Sequence, residues 1–149
     1  TPQFLQTAFF TMLLTNLEGG VDGVSLSLPD DLLWSDEHSW SPAVSSVSYL
    51  LNGALLVQSA LRQAGRPITL VGAVDMAWIT RAVLGQLHAW AGVPLSANAG
   101  RFTLTLADGR SFTVAIRHGE TAIESEPVTG FPARLDSDFY RITVRLMQL

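Results

Sequence analysis

Between residues 65 and 117 the period of the apolar residues changes twice, from two to about three and a half and back to two. That switch constrains the fold more than any other feature of the chain. Gly65-Arg66-Pro67-Ile68-Thr69-Leu70-Val71-Gly72 predicts a strand, and residues 75–91 predict an amphipathic helix. Residues 102–106 and 110–117 then alternate around Ala107-Asp108-Gly109, a hairpin pattern. Together they specify a sheet with one helix laid on it, and the block carries no cluster of nucleophiles, bases or metal ligands.

The helix explains itself by packing. Met76, Ile79, Val83, Leu84, Leu87 and Trp90 form one stripe, Asp75 is the expected N-cap, and Gly92 with Pro94 closes the run. Burying these side chains is worth about 10 kcal/mol gross, at roughly 1.5–3 kcal/mol each. The helix therefore reads as structural.

Around this block the rest of the chain reads mainly as strands. Residues 21–28 alternate and stop at Pro29. Residues 44–51 and 54–61 flank Asn52-Gly53, which predicts a hairpin with a type I′ turn. Both of these strands look apolar on both faces, as expected of a central pair or of a pair facing another subunit. Residues 31–42, with Trp34 and Trp40 among Asp36, Glu37 and His38, read as loop. Residues 122–126 predict a short strand. The last eleven residues predict a long one, with Tyr140, Ile142, Val144 and Leu146 inward and Arg141, Thr143 and Arg145 outward. At the other end, Phe4, Leu5, Ala8, Phe9, Met12, Leu13 and Leu17 fall at helical spacing. The same residues also alternate as a strand would; the helix is the favoured reading. The expectation is a mainly β (α+β) chain: an antiparallel β-sandwich or partly open barrel with one long flanking amphipathic helix. It forms one domain over residues 1–149, with residues 1–20 as an apolar interaction segment.

Composition narrows the function classes. The 149 residues contain no cysteine, which removes disulfides, thiolate catalysis and Cys-based metal sites. Hydrophobic residues make up 48% and charged residues 15%, below the roughly 25% charge of an ordinary soluble domain. Either neutral Ser, Thr and Gln cover the surface or other subunits cover part of it; the second reading is favoured. All nine basic residues are arginine, which fits interfaces, where arginine is enriched over lysine. Net charge is −4 and the arginines are dispersed, which argues against direct nucleic-acid binding. Residues 1–17 are uncharged but shorter than the stretch of about 20 that spans a bilayer, and no basic region precedes them, so neither a membrane span nor a signal is expected.

Catalytic inventories come up short. Asp30, Asp31, Asp36, Glu37 and His38 are the one acidic cluster, without the register of a calcium loop. Glu124 and Glu126 share a face if extended, a spacing that glycosidase carboxylates use but that also arises by accident. His38, His88 and His118 are far apart in sequence. No Gly-x-Ser-x-Gly, P-loop or His-Glu-x-x-His pattern occurs. No enzyme activity, no cofactor and no metal are expected. Trp34 and Trp40, in polar sequence, are candidates for sugar stacking or for interface anchoring.

The strand Gly65-Arg66-Pro67-Ile68-Thr69-Leu70, the helix ending in Trp90-Ala91-Gly92, and the hairpin with Asp108-Gly109-Arg110 at its turn resemble the tail and baseplate proteins of long-tailed bacteriophages. In particular, residues 65–117 resemble the ring-forming domain of distal tail proteins. The resemblance implies a β-sandwich with a flanking helix, assembled as a six-fold ring between tail tube and baseplate hub. It also implies synthesis in the host cytoplasm and residence in the virion. The chain departs from that pattern in being short and in lacking a second, carbohydrate-binding domain. The expected function is thus a structural, ring-forming adaptor whose partners are copies of itself and other tail proteins. Its expected interface residues are Phe4, Phe9, Phe10, Trp34, Trp40, Arg141 and Arg145. The alternatives are a small carbohydrate- or ligand-binding β-module using Trp34 and Trp40, and an enzyme whose site meets only in the fold.

Overall fold

The computed structural model describes residues 12–18, 21–73, 75–129, 132 and 134–149. Along them run β1 (Met12–Glu18), β2 (Val21–Leu28), β3 (Leu33–Trp34), β4 (Ala43–Tyr49), β5 (Leu55–Leu61), β6 (Pro67–Val71) and β7 (Trp78–Thr80). Then follow α1 (Arg81–Ala91), β8 (Arg101–Thr105), β9 (Ser111–Ile116), β10 (Ile123–Pro127) and β11 (Phe139–Gln148). Among the described residues the fold is mainly β, with antiparallel pairing and one flanking helix, as the sequence predicts.

The strand order in the main sheet is β2-β1-β8-β9-β11-β6-β3. The long β11 organises it. Its C-terminal half pairs with β9 on one side and β6 on the other, and its N-terminal half with β10 and β7. Tyr140, Ile142, Val144 and Leu146 are all buried, so the expected two-residue alternation of this strand holds. They join Leu14, Ile68, Leu70, Phe102, Leu104, Val114 and the helix residues Leu84, Leu87 and Trp90 in one core. Trp90 stacks at a tilt on Phe102, ring centroids 5.2 Å apart.

Three expectations are corrected. The helix is shorter than residues 75–91, because its first turn is spent on a strand: residues 78–80 pair with Phe139, Tyr140 and Arg141 as β7. Ala77, at φ 60°, sits in the left-handed region and breaks any helix before it. Asp75 is therefore no N-cap. Thr80 takes that position without a side-chain cap, and the Asp138 and Asp136 carbonyls accept the N–H groups of Arg81 and Ala82 instead. Ile79 is still buried, from a strand rather than a helix.

Secondly, residues 12–18 form a strand rather than a helix. β1 pairs with β2 on one edge and β8 on the other, which turns Met12 and Leu14 into the core. This part of the apolar segment is thus body rather than appendage. Residues 1–11, with Phe4, Phe9 and Phe10, lie outside the described residues.

Thirdly, β4 and β5 are not a central pair. They form a separate two-stranded sheet. Nor is the turn at its tip type I′: of Asn52 and Gly53, only Gly53 has positive φ, at 84°. Leu50 N–H donates to the Ala54 carbonyl at 2.8 Å across three residues, the pattern of a three-residue loop ending on a left-handed glycine. The loop from Leu106 to Arg110 repeats it, with Gly109 at φ 95° and the equivalent bond also 2.8 Å. In each, the middle side chain, Asn52 or Asp108, accepts the N–H two residues on.

Candidate functional site

Residues 39–61 carry no charged side chain. In the fold, every residue from 41 to 65 is exposed, although fourteen of them belong to the regular strands β4 and β5. The register pairs Ala43 with Leu61, Ser45 with Ser59, Val47 with Val57 and Tyr49 with Leu55 on one face. The other face pairs Val44 with Ala60, Ser46 with Gln58 and Ser48 with Leu56. The hairpin is therefore not equally apolar on both sides. One face carries Val47, Tyr49, Leu55, Val57 and Leu61, each more than half exposed; the other is graded by Ser46, Ser48 and Gln58. An isolated two-stranded ribbon is marginal in water, and an exposed apolar patch on one marks a candidate site of interaction, ligand binding or aggregation.

The tryptophan loop behaves differently. Trp34 is buried, 8% exposed, with its ring edge-on to Phe112 at 5.6 Å. Arg66 lies over it with the guanidinium carbon 4.6 Å from the ring centroid, and Arg110 does so at 5.5 Å. The same Arg66 side chain donates to the Glu37 carbonyl at 2.9 Å, and Arg110 pairs with Glu37 at 2.8 Å. Asp36 accepts both the N–H and the hydroxyl of Thr69, at 3.0 and 2.9 Å. Residues 33–37 are thus clamped to β6 and to the β8–β9 turn. Trp34 is a core residue rather than an interface anchor or a sugar platform, because a ring enclosed by two guanidinium groups and a phenyl has no face left to offer. Trp40 is half-buried, with Arg62 at 6.0 Å and Arg66 at 5.9 Å.

Arg141 and Arg145 do lie on the outer face of β11, but their charges are already engaged. Arg141 pairs with Glu126, while Arg145 pairs with Glu120 at 3.2 Å and Glu124 at 3.1 Å and donates to the Thr121 carbonyl. Glu124 and Glu126 do share a face, opposite Thr143 and Arg141 on β11. There they are members of a cross-strand ion-pair ladder.

The acidic cluster is dispersed by the fold. Asp31 accepts the Ala77 N–H at 3.1 Å, Asp36 holds Thr69, Glu37 holds Arg110, and His38 stands in solvent. Among the described residues no three metal-ligating side chains converge. His118 hydrogen-bonds the Ala91 carbonyl through Nε2 at 2.7 Å, at the C-terminal end of α1. A cleft beside α1 is lined by His88, Ser125, Asp136, Arg81 and Tyr140. Among the described residues no hydrogen bond links Ser125, His88 and Asp136 to one another. Asp108, on the surface with its side chain about half exposed, has its carboxyl held below the usual range by the Arg110 backbone N–H and then by the Arg110 guanidinium. Arg110 is pushed up in turn, first by its bond to Glu37 and then by Asp108.

No family model, no curated protein and no solved structure matches the chain. Among the described residues no helix is long and apolar enough to cross a membrane. The residues that sequence reasoning left out of the site are those of the hairpin face, above all Val47, Tyr49, Leu55 and Val57. The signal that marks them is the uncharged run of residues 39–61.

Proposed function

We propose that this chain is a structural component of a bacteriophage tail tip or baseplate, a ring-forming adaptor between tail tube and hub. The observation that carries this reading is the β4–β5 hairpin, an ordered apolar element exposed along its whole length. A protein that presents such an element works in an assembly, where subunit contacts remove it from water. The antiparallel sheet with one flanking helix, and the resemblance of residues 65–117 to distal tail proteins, support the choice of assembly. On this reading the partners are copies of the same chain and neighbouring tail proteins, and the finished protein resides in the virion.

The test is size-exclusion chromatography with light scattering, followed by negative-stain microscopy. A closed ring with a central opening is expected, and antibodies to the purified protein should label one end of the tail in particles from a lysate carrying its gene. A monomer at tens of micromolar, or particles without label, overturns the reading.

A further inference from the structure

The hairpin's backbone says how the copies meet. Leu50 N–H donates to the Ala54 carbonyl at one end of the ladder, and Arg62 N–H donates to the Pro42 carbonyl at the other. Antiparallel pairs alternate between hydrogen-bonded and non-hydrogen-bonded. The pairs Ser48–Leu56, Ser46–Gln58 and Val44–Ala60 therefore turn their N–H and C=O groups inward. Ser45, Val47 and Tyr49 on β4, and Leu55, Val57 and Ser59 on β5, turn theirs out to two free edges. Among the described residues no backbone group pairs with any of these six. The same six positions lie on the more apolar face, so the outward backbone and most of the greasy side chains belong to one set of residues.

Soluble proteins blunt such edges with charges, prolines or bulges. β4 and β5 contain no charged residue and no proline, and their seven pairs run without a register shift. By contrast, edge strand β2 contains Gly23, and its pairing with β1 is bulged. The hairpin edges are left open where the body's edge is protected.

We propose that β4–β5 is an assembly arm whose occupant is a second copy of this chain, the free edge of β4 pairing antiparallel with the free edge of β5 in the next copy. This deepens the ring-forming reading above and rests on it. Two features single out a copy as the occupant. Each hairpin offers two unprotected edges of equal length, seven residues each, so one copy supplies the complement of another. Head-to-tail pairing also uses both edges of every copy and closes, giving a barrel of two strands per subunit with no edge remaining. A two-fold pairing of β4 with β4 would leave both β5 edges as bare as before. In the closed ring the face bearing Val47, Tyr49, Leu55 and Val57 becomes one continuous apolar layer, and Ser46, Ser48 and Gln58 line the opposite side of the wall.

Val47→Pro and Val57→Pro test this directly. Each removes an outward N–H from one edge and leaves the inward ladder intact, the one setting in which a strand tolerates proline. By light scattering, the wild-type chain should be a closed oligomer and each variant alone a monomer. A 1:1 mixture of the two variants should have the mass of two chains, because Val47→Pro keeps a good β5 edge and Val57→Pro a good β4 edge. That recovery also shows that both variants are folded. As a second measurement on the unaltered protein, the amides of Ser45, Val47, Tyr49, Val57 and Ser59 should exchange at least about 100-fold more slowly than in a free chain. Variants that assemble as the wild type does, with those amides unprotected, overturn the edge pairing and leave the ring reading standing. A monomer for Val47→Pro beside a dimer for Val57→Pro overturns the head-to-tail order in favour of a two-fold one. A monomeric wild type overturns both the arm and the ring.

Discussion

Arg66 closes over Trp34, its guanidinium carbon 4.6 Å from the ring centroid, and with the same head group holds the Glu37 carbonyl at 2.9 Å. One side chain from the start of the β6 region thus fixes both the ring and the backbone of the loop that follows β2. The clamp is internal to the body and separate from the hairpin edges, which makes its effects on stability and on assembly separable.

Replacing Arg66 by alanine removes a half-buried stacked cation and a charge-assisted hydrogen bond. The expected loss is about 1–3 kcal/mol, read as a lower denaturant midpoint. The oligomeric state should not change.

Trp34 divides into a packing part and a polar part. Its buried Nε1 has no hydrogen-bond partner among the described residues. Trp34→Phe should therefore cost less than about 1.5 kcal/mol, whereas Trp34→Ala should cost about 3–5 kcal/mol through the cavity beneath Arg66 and Phe112. Equal losses from the two substitutions in calorimetry would show that the indole N–H matters.

Gly100 sits at φ 74°, and a Cβ there would stand 2.8 Å from both the Leu95 Cα and the Pro94 carbonyl oxygen. Both obstacles are backbone, and neither swings aside. Gly100→Ala should destabilise by about 1–3 kcal/mol, which for a domain of this size lowers Tm by several degrees. Gly85, with open space around its α-carbon on the helix, is the control: Gly85→Ala should stabilise by roughly 0.5–1 kcal/mol.

The Asp108 carboxyl, held down by Arg110, titrates below its unfolded value of about 3.9. Its contribution to stability is thus present above that value and is lost as pH falls through the lower, folded midpoint. Because the pair is exposed to solvent, the effect on stability is small and the NMR titration of Asp108 is the sensitive readout. Arg110→Gln removes the guanidinium but keeps the peptide N–H, which lowers the midpoint most. The midpoint should therefore rise only part of the way.

Short-range patterns were legible wherever one face of an element meets the core. β6, β8, β9 and β11 follow from two-residue alternation, because burial on one side of a pleat leaves that mark. Residues 12–17 satisfy helical and strand periods alike, and pairing with β2 and β8 resolved the ambiguity. The stripe from Met76 to Trp90 was correctly apolar, yet periodicity cannot register that Ala77 adopts φ 60° or that β11 recruits residues 78–80 into the sheet. Trp34 looked like a surface residue because its neighbours are polar. Arg66, Arg110 and Thr69, distant in sequence, are what turn that loop inward.

By itself, the amino-acid sequence determined the mainly β class, the helix ending at Ala91, the hairpin loops at Asn52-Gly53 and Asp108-Gly109 and the apolar, uncharged character of residues 39–61, since each of these is set by neighbours along the chain. Only the tertiary structure decided which apolar residues are covered. Val47 and Val144 are equally hydrophobic, but Val144 lies in β11 between packed strands and Val47 in a ribbon that the body leaves bare. Burial depends on what the rest of the molecule places opposite a residue, and no local pattern encodes that.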